Sequence, residues 1–159
     1  MKTVNLAFTA PINPPETSPK LSTPQVWAGL QRKVRHAPEF VPAIGTCRVL
    51  SDSSDPDDGT VEREVTFAAD PEHKIKEKCV SAGGLKVDFH QPDGGLITNY
   101  ISEGEGGELF LTYTFQIVSD LKEGSEERKA FRDKQAKMAR MAVLESINSI
   151  RKMVKEGKL

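Results

Sequence analysis

The last third of the chain constrains everything before it. From Ser125 to about Val154 the residues read as one long amphipathic helix. Ala136, Ala139, Val143, Ile147, Ile150 and Val154 recur at helical spacing, and Phe131, Met138 and Ala142 widen the same face. Ser125 is placed to cap the first free amides. Glu126 and Glu127 fall in the first turn, where the helix dipole favours anions, and Lys152 and Lys155 fall in the last. A helix of this length with one apolar side has to lie on something, so the preceding chain is expected to supply its surface.

That surface reads as strands. Val4, Leu6, Phe8 and Ala10 alternate with Asn5, Ala7 and Thr9, the period of a half-buried strand, which ends at Pro11. Pro14, Pro15 and Pro19 then exclude regular structure up to Leu21. Thr23 is expected as an N-cap and Pro24 as the first residue of a short helix. Trp27, Leu30 and Val34 form its apolar stripe, with Gln31, Arg32, Lys33 and Arg35 turned outward. Pro38 interrupts it, so that Phe40, Val41 and Ile44 follow a bend and two short helices result. Beyond Ile44, turns at Asp57-Asp58-Gly59, Ala82-Gly83-Gly84, Pro92-Asp93-Gly94-Gly95 and Glu103-Gly104-Glu105-Gly106-Gly107 separate apolar-periodic runs. The spacing predicts strands over 45–52, 60–68, 74–81, 85–91, 96–102 and 108–118. The expected fold class is α+β: a seven-stranded curved antiparallel sheet around a long C-terminal helix, with two short helices after the first strand.

A length of 159 residues fits one domain, spanning 1–159. A formal charge of −1, from 22 basic and 23 acidic residues, supplies no global field for nucleic acid. Cys47 and Cys79 stand in separate strand-like runs without ligand spacing, which fits a reducing compartment. The opening Met1-Lys2-Thr3-Val4-Asn5-Leu6 lacks a secretory apolar run, and no later stretch approaches a membrane span. A cytoplasmic protein is expected, as a monomer or homodimer. His36, His73 and His90 are scattered, and P-loop, GxGxxG and serine-elbow patterns are absent, so neither metal nor cofactor is called for.

Sorting residues by strand face gives the candidate site. Leu109, Leu111, Tyr113, Phe115 and Ile117 share one side of the last strand, which makes that side inner and brings the Tyr113 hydroxyl into it. Val61, Val65 and Phe67 carry Arg63 inward with them. Lys74, Lys76 and Lys78 claim the outer face of the next strand, leaving Ile75, Glu77 and Cys79 inside. Val87 and Phe89 add apolar lining from the strand over 85–91. Arg63 and Glu77 therefore face the interior from adjacent strands. Burying such a pair costs several kcal/mol per charge unless geometry repays it. Two readings follow: a polar patch that orients a ligand, or a structural tie between two long strands. At the neighbouring strand, Ile97, Asn99 and Ile101 compete with Leu96, Thr98 and Tyr100 for the inner side.

The order strand, helix pair, meander and long terminal helix resembles the helix-grip fold of the START and birch-pollen-allergen (SRPBCC) superfamily. Val26-Trp27-Ala28-Gly29-Leu30-Gln31-Arg32-Lys33, Phe40-Val41-Pro42-Ala43-Ile44, Arg63-Glu64-Val65-Thr66-Phe67, Asn99-Tyr100-Ile101 and Glu108-Leu109-Phe110-Leu111-Thr112-Tyr113 look like its AtaL-like branch. The resemblance implies a hydrophobic cavity of the kind used by lipid carriers, hormone receptors and polyketide cyclases, and it puts Asn99 inside. The expected function is binding of a hydrophobic small molecule by a cofactor-independent enzyme of fungal-type secondary metabolism, a cyclase, isomerase or aldol-type catalyst. Glu77 would act as general acid or base, and Arg63 with Asn99 would stabilise enolate charge. Tyr113, Phe67, Val87, Phe89, Leu111 and Phe115 would contact the substrate. The alternative is a carrier or sequestering protein that performs no chemistry.

Overall fold

The structure is a computed structural model that describes residues 2–159; Met1, the first residue of the opening segment discussed above, lies outside the described residues. The first strand, β1, is Thr3–Pro11. After the proline-rich link, α1 runs Thr23–Arg35. Its N-cap is Ser22 rather than Thr23. The Gln25 amide donates to Ser22 Oγ at 3.3 Å and the Ser22 amide donates back to Gln25 Oε1 at 2.9 Å, a capping box that satisfies two orphan donors at once. The second helical piece is a single 3-10 turn, Ala37–Glu39, with Pro38 inside it.

Six further strands follow as β2 (Ile44–Asp52), β3 (Thr60–Phe67), β4 (Asp70–Ala82), β5 (Lys86–His90), β6 (Leu96–Glu103) and β7 (Leu109–Val118). β4 starts earlier than its lysine alternation predicts, because Asp70 already pairs with Phe67 across a tight turn. The seven strands form one antiparallel sheet in the order β1-β7-β6-β5-β4-β3-β2, the helix-grip arrangement, with β1 and β2 as its edges. The last element, α2, is Glu126–Lys155, capped by Ser125 Oγ on the Arg128 amide at 3.1 Å.

The two halves of α2 are held differently. From Ala139 onward it buries Val143, Ser146, Ile147, Ile150 and Met153. Here α1 comes so close that a Cβ on Gly29 would sit 2.7 Å from Ile150 Cδ1. The half before Ala139 buries nothing: Ala136 and Met138, expected on the covered face, are exposed. That half is fastened by polar ties to the β1 edge instead, Arg128 Nη2 donating to the Thr3 carbonyl at 2.7 Å and Arg132 Nη1 to the Asn5 carbonyl at 2.8 Å. These bonds occupy edge groups that would otherwise be open to a foreign strand. Because no large side chain fills the gap beneath it, a space remains between the first half of α2 and the sheet.

Candidate functional site

That space is a cavity of about 310 Å³, walled by Val65, Phe89, Ile97, Tyr113 and Phe115 of the sheet and roofed by Gln135, Met138, Ala139 and Ala142 of α2. Its mouth lies at Phe67 and Met138, 38% and 41% exposed, whereas Lys33, Arg63 and Tyr113 at the inner end are buried. Phe67 reaches this rim because β3 breaks alternation. A bulge between Val65 and Phe67 leaves Val65 and Thr66 both buried and turns Phe67 toward solvent.

Arg63 and Glu77 sit opposite each other on β3 and β4. Nε of Arg63 donates to Glu77 Oε2 at 2.7 Å, and Nη2 reaches the same oxygen at 2.6 Å. Nη1 donates to the carbonyls of Lys33 and Val34 at 3.0 and 2.9 Å, so the guanidinium also caps the C-terminal turn of α1, where a cation meets the negative end of the helix dipole. Glu77 Oε1 accepts from Gln91 Nε2 at 2.8 Å. Burial is the largest influence and lowers the Arg63 pKa, but the Glu77 carboxylate together with Cys79 and Cys47 leaves it raised. The guanidinium carbon lies 5.0 Å from the Phe89 ring centre.

Lys33 corrects the sequence reading. Expected to face outward, it is only 6% exposed and points into the cavity. Its Nζ donates to Asn99 Oδ1 at 2.8 Å and stands 4.2 Å from the Tyr113 ring centre and 5.2 Å from that of Phe89. Burial, and then the neighbouring Arg63 charge, push the amine down to about 7; Glu77 and Cys79 oppose this. The signal was present in the sequence. Val26, Leu30 and Lys33 follow one another at helical spacing on α1 and are all buried, a stripe that the outward expectation for Lys33 does not include.

The remaining expected residues divide. Asn99 is fully buried on the inner face, where its carbonyl oxygen holds the lysine while its Nδ2 has no hydrogen-bond partner. The Tyr113 hydroxyl donates to Ser146 Oγ of α2 at 2.7 Å, and burial pushes its pKa up. Phe89, Phe115 and Phe67 line the cavity with Arg63, Glu77 and Tyr113. Val87 and Leu111 do not. Both are wholly buried in the hydrophobic core with Ile147 and Ile150. Cys47 and Cys79 are free thiols, and burial pushes Cys79 up to about 12. Among the described residues no group of three or more His, Cys, Asp or Glu side chains is placed to hold a metal ion, and no helix is long and apolar enough to cross a membrane. The arrangement is thus an apolar slot whose closed end presents an amine, a guanidinium and a carboxylate.

Comparison with known proteins agrees with this architecture. The chain is 27% identical over 158 residues to Acetylaranotin biosynthesis cluster protein L of Aspergillus terreus, covering 99% of this chain and 94% of that one. Among solved structures, the di-domain ARO/CYC StfQ from the steffimycin biosynthetic pathway superposes with a TM-score of 0.61 at 15% identity, over 98% of this chain and 52% of that one. The chain therefore spans about half the length of StfQ. A protein of unknown function from Staphylococcus aureus, SA2116, superposes with a TM-score of 0.62 at 9% identity, over 98% of this chain and 97% of that one. At these identities the superpositions establish the fold alone. Residues 6–157 match the family described as Acetylaranotin biosynthesis cluster protein L, and the chain belongs to that AtaL family.

Proposed function

We propose that the chain admits an apolar, carbonyl-bearing molecule of polyketide type to the cavity and closes or rearranges it by cyclisation, isomerisation or aldol-type chemistry, using its own side chains. The observation that carries this reading is the cavity itself: apolar walls ending in Arg63, Glu77 and Lys33, all shielded from water. Small-molecule sites are built in this way, with few polar groups at the end of an apolar cleft. The biosynthesis-cluster relative and the ARO/CYC neighbour support it.

Within this reading the Arg63 guanidinium stabilises the oxyanion of an enolate, an effect that grows as water is excluded. Glu77 serves as acid or base through Oε1, whose protein partner is the single amide of Gln91. Phe67, Phe89 and Phe115 stack on a flat guest. The test presents short poly-β-carbonyl thioesters to the protein and follows their conversion. Glu77→Gln should cut turnover about 100-fold or more while an aromatic probe still binds. Unchanged turnover in both Glu77→Gln and Arg63→Met would remove the assigned roles.

One observation favours a carrier as the second reading: the pair already bonds to α1 carbonyls and to Gln91, as a purely structural tie would. A carrier would come out of purification with a guest visible by native mass spectrometry and would turn over none of the thioesters.

A further inference from the structure

Lys33 is a charged-type side chain without a charged partner in contact. Among the described residues it makes no ion pair, and the carboxylate of Glu77 is bound by Arg63 and Gln91. Nζ spends one hydrogen on Asn99 and faces two aromatic rings with the rest. A lysine becomes a nucleophile when it is desolvated in an apolar pocket or set beside another cation. Here both conditions hold at one nitrogen, since Lys33 Nζ and the Arg63 guanidinium stand over the same Phe89 ring, 5.2 and 5.0 Å from its centre. Asn99, which is fully buried behind the cavity lining, fixes Nζ through its carbonyl oxygen.

We infer that Lys33 forms a covalent imine with an aldehyde or ketone guest in the cavity that its side chain lines. The Nζ lone pair attacks the carbonyl carbon, and the π pair passes to oxygen, which takes a proton from nitrogen to give the carbinolamine. The hydroxyl then leaves with the second amine hydrogen as water, and the C=N bond closes. No oxidant or reductant is consumed. The ligand class is thereby narrowed to guests bearing a reactive aldehyde or ketone at the end that enters first. The inference rests on the proposed function only in requiring that the cavity admit an apolar guest.

The experiment incubates the full-length protein at pH 7 with naphthaldehyde and cyanoborohydride, then maps the adduct by peptide mass spectrometry. Binding of methylnaphthalene, which has no carbonyl, is measured in parallel by fluorescence. A neutral amine near pKa 7 competes against exposed lysines that are almost wholly protonated, so Lys33 should be labelled on the order of 100-fold faster than any of them. The adduct should number one per chain and disappear in Lys33→Met, and in Lys33→Arg, which retains the charge. Methylnaphthalene binding with labels scattered over surface lysines, or none on Lys33, overturns the imine and leaves the cavity reading intact. Failure of both binding and labelling overturns both.

Discussion

The Arg63 and Glu77 pair offers the sharpest energetic test, because its partners are few and known. Glu77→Met leaves a buried guanidinium without its counter-ion, and such losses cost about 3–5 kcal/mol. Arg63→Met costs a similar amount for the stranded carboxylate, and it also frees the carbonyls of Lys33 and Val34, each worth about 1–3 kcal/mol when buried without a donor. The double variant strands no charge and replaces the pair with apolar volume, an exchange that is often near neutral. In it the two carbonyls lose the guanidinium, Val34 keeping only the weak Cys47 Sγ donor, so it should lose about 2–6 kcal/mol. Its cost should therefore fall well below the sum of the single losses, with a coupling of roughly 3 kcal/mol or more. Glu77→Met alone should lower the melting temperature by roughly 6–20 °C in a chain of this size. Urea unfolding followed through the sole tryptophan, Trp27, reads all four species; it is 7% exposed and its indole nitrogen is bonded to the Pro56 carbonyl. Additive losses, or single losses under about 0.5 kcal/mol, would refute the claim that the pair is jointly desolvated and mutually required.

Three further outcomes can be checked. The amine of Lys33 has a folded-state pKa near 7 against an ordinary value near 10.5, so the unfolded chain binds more protons between those limits. Stability contributed by this group should therefore rise with pH from about 7 to about 10 and be weakest below 7, and Lys33→Met should flatten that slope in urea titrations. Met138→Trp at the mouth should weaken binding of an aromatic probe at least about tenfold while shifting stability by less than about 0.5 kcal/mol, since the side chain is already largely exposed. Gly29→Ala should destabilise by about 1–3 kcal/mol despite the better helix former, because the new methyl meets the fully buried Ile150.

Much of this fold can be read along the chain, and the reasons are local. Four of the five meander turns carry glycine or aspartate, the exception being Ala68-Ala69 between β3 and β4, and the lysines at 74, 76 and 78 fix which side of β4 meets water. The opposition of Arg63 and Glu77 follows from counting residues by two. What escapes such counting depends on what fills the space above each face. Val87 and Phe89 share a strand face, yet the first is packed in the core and the second borders a void, and only the tilt and side-chain bulk of α2 decide between them. The apolar stripe of α2 continues through Ala136 and Met138, although nothing covers them. Lys33 departs from its expected outward position for a different reason: a lysine with an aromatic floor and an amide partner can occupy a core stripe.

The division of labour along α2 has an evolutionary consequence. Gln135, Met138 and Ala142 shape the ceiling of the slot, whereas Val143, Ile147 and Ile150 hold the molecule together one and two turns further on. Substitutions among the first three should alter the size and polarity of an acceptable guest while leaving folding nearly untouched. A single helix thus lets new specificities be explored without first acquiring spare stability.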